Sequence, residues 1–465
     1  MLPISLLKDK FWLFLAIALL VVEWSMPMVA QGLYAESHFY FSVAFSAGWT
    51  GLITALGLAF YVTARKNAQL ASLAIVLSLA TLTLMYRTSV SFVQPQFTAE
   101  DGCVFFLQQR ESGLSAFLIP HNGYYHTVVR ILAALVAPVP TLFVPAFYNL
   151  AWLGIYSLIV AYILIQYPDR KWAPIVALVT AFVAHTCEIF LVVTDTIWLG
   201  GLALTTFVLF PVPDLKRWAR YLVTGVLLIF SMSGPFSLAL SPFFLLRWSM
   251  NRKTFPLIYV VAVILGALVQ MSALHSYYVD KNAGPSLTLT SLLLCLKIAV
   301  IRVPWSLAVG YQPVDFYWLI GLALTLILFV FIAREIKSNP GKHIFTIGCL
   351  LLCAVFVVLN FIRISPPDVL VPLVNGDRYF YIPKVLFVWA LIHLAATART
   401  PKPFYLALFF CAMGSMAEFT TSQVVVDNHW PRYAMLIDQG GPVNVPLNPP
   451  GWSISIQGAS QTLPK

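Results

Sequence analysis

Glu100 and Asp101, followed by Gly102, are adjacent carboxylates in the longest polar interval of an otherwise apolar chain, which runs from Phe97 to Arg130. A carboxylate so placed can take the proton of an acceptor hydroxyl, and the glycine lets a ligand or another backbone come close. The same pair could instead cap a helix running from Gly102 to Arg110, with Asp101 as N-cap. Further along the interval come His121, Asn122, Tyr124, Tyr125, His126 and Arg130, a run of hydrogen-bonding side chains able to contact a substrate. The two tyrosines also suit a membrane-interface belt. A second constellation is Asn375–Gly376–Asp377–Arg378–Tyr379, with Lys384 beyond it. Arg378 suits a two-pronged grip on phosphate oxygens, with Tyr379 beside it, and Lys384 suits a point-charge contact. The plainer reading is an Asp377–Arg378 surface pair and a snorkelling lysine.

A third group is His185, Glu188, Asp195 and Trp198. If a helix runs through them, His185 and Glu188 share a face, and Asp195 falls at the following turn, where it can reach the same cavity as Asp101. Ionisable groups at membrane depth usually face a cavity or a partner; a hydrogen-bonded pair that only ties helices together is the alternative. Glu23 stands alone in the first apolar run. Lys297 and Arg302 occupy an apolar segment, 292–309, that reads as an interfacial or re-entrant helix whose cations meet an anionic headgroup.

These groups are carried on apolar elements. Hydrophobic residues make up 60% of the 465 and charged residues only 10%, against about 25% charged in a soluble domain, and the mean hydropathy is +0.84. The expected fold is all-α, a polytopic transmembrane bundle of about 11–13 spans. Spans are predicted near 11–30, 41–63, 68–88, 143–166, 173–192, 196–211, 219–232, 235–247, 254–274, 316–334, 342–362, 380–397 and 403–420. The segment from Val128 to Val136 reads as a helix lying in the interface. The net charge of +10 does not point to nucleic acid, because 17 of the 28 basic residues fall in seven short segments between these spans. That asymmetry predicts the N-terminus inside and the C-terminus outside, with every large loop on the outer face. A membrane domain over 1–420 and an extended outer tail over 421–465 follow. The proline-rich stretch from Asn444 to Trp452 reads as a strap, with Trp452 either packing as an anchor or stacking on a sugar.

No P-loop, no dinucleotide fingerprint, no HExxH and no GxSxG are present, and the six cysteines form no framework. No cofactor and no metal site is indicated, although Glu100 and Asp101 together could hold a divalent cation. Chemistry on the outer face has no access to nucleotide-activated donors, so an activated substrate there would be lipid-linked.

Five short stretches, AEDG at 99–102, PHNGYYH with Arg130 at 120–130, TDTIW at 194–198, GDRYFYIP at 376–383 and NPPGW at 448–452, together resemble the C-type integral-membrane glycosyltransferases, the GT-C superfamily, and among them the bacterial enzymes of cell-envelope polysaccharide and O-antigen. The resemblance implies a transferase in the bacterial cytoplasmic membrane. It would move a sugar, with inversion, from a polyprenyl-phosphate donor to a glycan or lipid-linked acceptor on the outer face. It implies Asp101 as the base, with Glu100 the alternative, and Arg378 and Lys384 as phosphate-binding cations. His121, Asn122, Tyr124, Arg130, Asp195, Trp198 and Tyr379 complete the expected substrate contacts. The alternatives are a polymerase or ligase of lipid-linked glycans, favoured if outer arginines (Arg87, Arg110, Arg130, Arg302, Arg363, Arg378, Arg432) gather at the site, and a lipid-linked sugar transporter, favoured by ionisable groups along the membrane midplane.

Overall fold

The computed structural model describes residues 68–281, 288–310, 318–364, 367–371, 376–418 and 425–457. The predicted spans 11–30 and 41–63, together with Glu23, lie outside the described residues. The helices are α1 (Ala68–Arg87), α2 (Thr127–Val136), α3 (Val144–Gln166), α4 (Ala173–Phe182), α5 (Thr196–Leu209), α6 (Arg217–Ser231), α7 (Phe236–Met250) and α8 (Leu257–Lys281). They continue with α9 (Leu289–Val309), α10 (Trp318–Ser338), α11 (Ile344–Arg363), α12 (Tyr381–Thr397), α13 (Lys402–Ala417) and α14 (Trp430–Asp438). Among the described residues, six helical stretches are long and apolar enough to cross a membrane: Thr141–Gln166, Leu257–Ser276, Leu289–Val309, Trp318–Ser338, Ile344–Arg363 and Asp377–Thr397. The architecture is therefore a mostly helical membrane bundle, as composition requires.

Most buried side chains form one apolar cluster running through the bundle, with Trp152, Tyr156, Trp389 and Phe210 among its largest members. The segment 94–142, residues 183–195 and the start of α12 gather at one end of the bundle, called here the loop end, where Asp101 accepts from the Thr194 amide and the Arg378 amide donates to Glu188. A second, smaller cluster caps that end. It joins Phe97, Phe105, Val129 and Tyr148 to Trp430, Ile437, Val445, Leu447 and Ile454 of the tail.

Four elements depart from expectation. The predicted span 173–192 is helical only through Phe182; residues 183–195 are irregular, with left-handed backbone at Cys187 (φ 63°) and Leu191 (φ 59°). His185 and Glu188 therefore do not share a helix face. Residues 289–309 form a helix of 21 residues with a π-helical turn at Ile301–Trp305. Its Arg302 does not meet a headgroup: it is fully buried, donates to the Leu370 carbonyl at 2.7 Å and lies 3.7 Å from Asp377. The tail is not a simple strap. It forms α14 and a two-stranded antiparallel hairpin, β1 (Val443–Leu447) and β2 (Trp452–Ile456). Its prolines are accommodated because a two-stranded ribbon consists of edges alone. Trp452 is 41% exposed and is no anchor. The helix Thr127–Val136 buries Val128, Val129, Arg130, Ala133 and Val136 against the cap and presents Leu135 outward, so it packs more than it floats.

Candidate functional site

The site is organised by the irregular segment 183–195. Backbone that leaves a helix within a membrane protein must find hydrogen-bond partners elsewhere, and here buried side chains from three distant parts of the chain supply them. Arg87, at the end of α1, donates to the carbonyls of Ala181 (2.7 Å) and Val183 (3.0 Å) and to that of His185, so it caps the broken end of α4. Asp101 accepts from the amides of Val193 (2.9 Å) and Thr194 (2.6 Å) and from the Thr194 hydroxyl. Asp377 accepts from the Thr186 amide (3.0 Å). Lys384 donates to the Ala184 carbonyl (3.0 Å) and to Asp377 (2.6 Å).

One of the two expected cation roles, that of Lys384, changes as a result. Lys384 is fully buried in an ion cluster with Asp377 and Arg302, out of reach of a substrate phosphate. The lysine is held there by the buried carboxylate seven residues before it. Arg378, by contrast, keeps 32% of its side chain exposed and pairs with Glu188, through Nη1 at 2.6 Å and its own amide at 3.2 Å. Two of its N–H edges have no carboxylate partner, so it retains capacity for a phosphate oxygen. His185 completes the buried cluster. Its Nδ1 accepts from the Cys187 amide, which places the proton of a neutral ring on Nε2, 3.5 Å from Asp377. Burial drives its pKa down to about 3, the nearby Asp377 notwithstanding.

The acidic pair also divides. Asp101 is 3% exposed, and both of its oxygens are engaged. Burial raises its pKa to about 7, while the Thr194 and Val193 donors pull the other way. It does not cap its own helix: the turn it begins, Asp101–Phe106, is π-helical and has no side-chain cap. Glu100, one residue earlier, is half-buried and makes no hydrogen bond or ion pair. The approach that Gly102 permits is that of the tail, since a Cβ there would lie 2.8 Å from Ile454 Cδ1 and 3.1 Å from Leu447 Cδ1. Asn448 fixes the acidic segment from the tail side: its carbonyl accepts from the Ala99 amide at 2.6 Å and its amide donates to Phe97.

Asp195 lies between the two halves. It is 5% exposed, accepts from the Trp198 indole at 3.0 Å, and feels the charges of Arg378, Glu188, Glu100 and Asp101. Burial holds its pKa well above the carboxylate range, and burial likewise raises that of Glu188 against the pull of Arg378. Arg378 in turn feels Glu100. Glu100 and Arg378, 278 positions apart, thus share one electrostatic neighbourhood.

Among the remaining expected contacts, His121 is half-buried and Asn122 exposed. They sit in a tight turn closed by His121 and Tyr124, with positive φ at Asn122 (50°) and Gly123 (82°). Tyr379 is partly exposed and meets Trp198 edge-on at 5.3 Å. Tyr124, Arg130 and Trp198 are buried and serve as framework rather than surface contacts. Arg130 donates to Gln108 and the Ile119 carbonyl and lies 4.7 Å over the Phe105 ring. Tyr124 carries the Arg363 guanidinium 4.2 Å over its ring. Arg363, at the end of α11, is half-buried and free of any carboxylate. Sequence reading counted it only as one of several arginines, and its position at the same end as Arg378 was the available signal. The roles of Arg87 and Thr194 were not foreseen; a cation at the last turn of an apolar helix was the only trace of the former. No group of three or more His, Cys, Asp or Glu side chains able to hold a metal occurs among the described residues.

Comparison of the chain with family models, with curated proteins and with solved structures finds no match.

Proposed function

We propose that the chain is a membrane-embedded glycosyltransferase of GT-C type, which transfers a sugar from a polyprenyl-phosphate donor to an envelope glycan or lipid-linked acceptor at the outer face of a bacterial cytoplasmic membrane. The observation that carries this reading is the gathering of an unpaired carboxylate, Glu100, and a partly exposed guanidinium, Arg378, around the segment 183–195. Glycosyl transfer from a lipid phosphate needs a base for the acceptor hydroxyl and positive charge for the leaving phosphate. In the proposed step the acceptor oxygen attacks the anomeric carbon while its proton passes to Glu100. The bond from that carbon to the phosphate oxygen breaks with inversion, and the lipid phosphate leaves against Arg378, with Arg363 as a second cation. Asp101, given the base role by the resemblance, is better suited to holding Glu100 in place, because its oxygens are already occupied. An apolar groove of about 920 Å³, lined by Tyr86, Phe182, Val183, Val388 and Met416 among others, begins beside segment 183–195 and suits a polyprenyl chain.

The test is transfer activity in membranes carrying Glu100→Gln, Asp101→Asn or Arg378→Ala at equal expression. Loss of the base is expected to lower the rate by about 10²–10⁴-fold, and full activity in all three variants would end the reading. A diphosphate-linked donor, as a polymerase or ligase would use, is less well supported, since Arg87, Arg130 and Arg302 are buried in structural roles. One observation favours a lipid-linked sugar transporter: the buried Asp377–Lys384–Arg302 cluster lies on helices long enough to cross the membrane. Movement of a lipid-linked sugar across vesicles without any transfer would choose that reading.

A further inference from the structure

The tail hairpin carries one large side chain that the transfer step leaves unused. The register of β1 with β2 pairs Val445 with Ile454 and Leu447 with Trp452. Directly opposed side chains project from the same face of a ribbon, and alternate residues project from the other. All four therefore share one face, the one that packs into the second apolar cluster, while Asn444, Ser453 and Ser455 belong to an exposed polar outer face. Val445, Leu447 and Ile454 are each 2% exposed or less, yet Trp452 is 41% exposed. The inner face of the ribbon thus runs past the surface it covers, and the indole overhangs at the turn.

That overhang stands beside the acidic segment. Asn448, in the hairpin turn, accepts from the Ala99 amide at 2.6 Å and donates from its own amide to the Phe97 carbonyl at 3.3 Å. Its side chain also clasps Val426, accepting from the amide at 2.8 Å and donating to the carbonyl at 3.0 Å, so the turn is held on two sides. Leu447 lies against Gly102, its Cδ1 3.1 Å from where a Cβ would be. Trp452 is the cross-strand partner of Leu447, so its Cβ stands about 5 Å further on. The indole is therefore rooted on the order of 10 Å from Gly102, which follows Glu100 by two residues. Its chain neighbours Gly451 and Ser453 are exposed and offer no apolar surface, so the ring stands alone rather than in the broad patch that a protein or a bilayer would cover. A fixed, solvated indole matches a pyranose. One face of the sugar is lined with C–H bonds that carry partial positive charge, the face of the indole is negative, and the hydroxyls stay in water.

We propose that Trp452 is the stacking platform for a pyranose ring of the acceptor glycan, close to the hydroxyl that Glu100 deprotonates. The assignment to the acceptor rests on the transferase reading; the stacking of a sugar does not. Saturation-transfer NMR of the purified full chain, in a detergent without a sugar headgroup, tests the platform. The probes are methyl β-glucoside, methyl β-galactoside, methyl α-mannoside and, as a polyol with no ring, sorbitol. At least one glycoside is expected to receive saturation, most strongly at the C–H protons of one ring face, and sorbitol none. Trp452→Ala should weaken that binding by about three- to tenfold. Trp452→Tyr should retain it, Trp452→Leu should lose it, and Ser453→Ala, on the outer face, should bind as the native chain does. No glycoside binding by the native chain, equal saturation of sorbitol, undiminished binding in Trp452→Ala or Trp452→Leu, or equal loss in Ser453→Ala would overturn the proposal. In the transfer assay, Trp452→Ala should raise the acceptor KM by a similar factor with kcat little changed; a lowered kcat at constant KM would overturn the assignment to the acceptor. Sugar binding through Trp452 in a chain that transfers nothing would keep the platform and end the transferase reading.

Discussion

Glu100–Asp101 and Asp377–Arg378 are two pairs of adjacent ionisable residues, and each is split in the same way. One member is buried and tied to segment 183–195: Asp101 to Val193 and Thr194, Asp377 to Thr186 and His185. The other member, Glu100 or Arg378, keeps solvent access. Neighbouring side chains on a tight turn point in different directions, so one can anchor while the next remains available. The pairs differ in how the anchor is neutralised. Asp101 is met by amides and a hydroxyl alone, whereas Asp377 is met by Lys384, with Arg302 at 3.7 Å. Neutral donors leave the buried carboxylate ready to take up a proton; cations commit the site to charge.

The largest effect should come from the charged anchor. Asp377→Ala would remove the carboxylate that Lys384 and Arg302 share in the bundle, and removing one partner of a buried pair costs about 3–5 kcal/mol. Loss of the monodisperse peak in fluorescence-detected size exclusion is the expected result, and a normal peak would show that the two cations find other partners. Next comes Asp101→Ala, which leaves the amides of Val193 and Thr194 without an acceptor, at about 1–3 kcal/mol for each buried group. A clear fall in melting temperature should follow, smaller than for Asp377→Ala; the reverse order would contradict the contrast between the two anchors.

The neutral anchor also carries a pH signature. With its pKa raised to about 7, Asp101 holds its proton more tightly folded than unfolded. Its contribution is therefore greatest below the unfolded value near 3.8 and is lost as pH rises through about 7. Melting curves between pH 5 and pH 8 should show that decline in the native chain and a flatter profile in Asp101→Asn; identical slopes would remove the assignment. The smallest effect belongs to the free member: Glu100→Gln should change stability by no more than about 0.5 kcal/mol while lowering transfer by about 10²–10⁴-fold. A large loss of stability there would mean that Glu100 too is an anchor.

Much of this was legible in the chain. The apolar runs gave most helices to within a few residues, because a bilayer admits little but helices of that length. The polar stretches at 99–102, 120–130, 194–198 and 376–383 were visible as groups that an apolar chain keeps only where something engages them, and all four lie at the loop end. Hydropathy could not reveal the break at 183–195, since VAHTCEIFLVVTD is nearly as apolar as the helix before it. Composition registers the solvent a segment prefers, not the partners of its backbone. Those partners are Arg87, Asp101, Asp377 and Lys384, brought from as far as 200 positions away. The sequence by itself determined a membrane bundle and which residues could do chemistry. Only the tertiary structure decided which member of each pair is spent on holding the broken segment, because that depends on which unpaired amides and carbonyls each side chain meets.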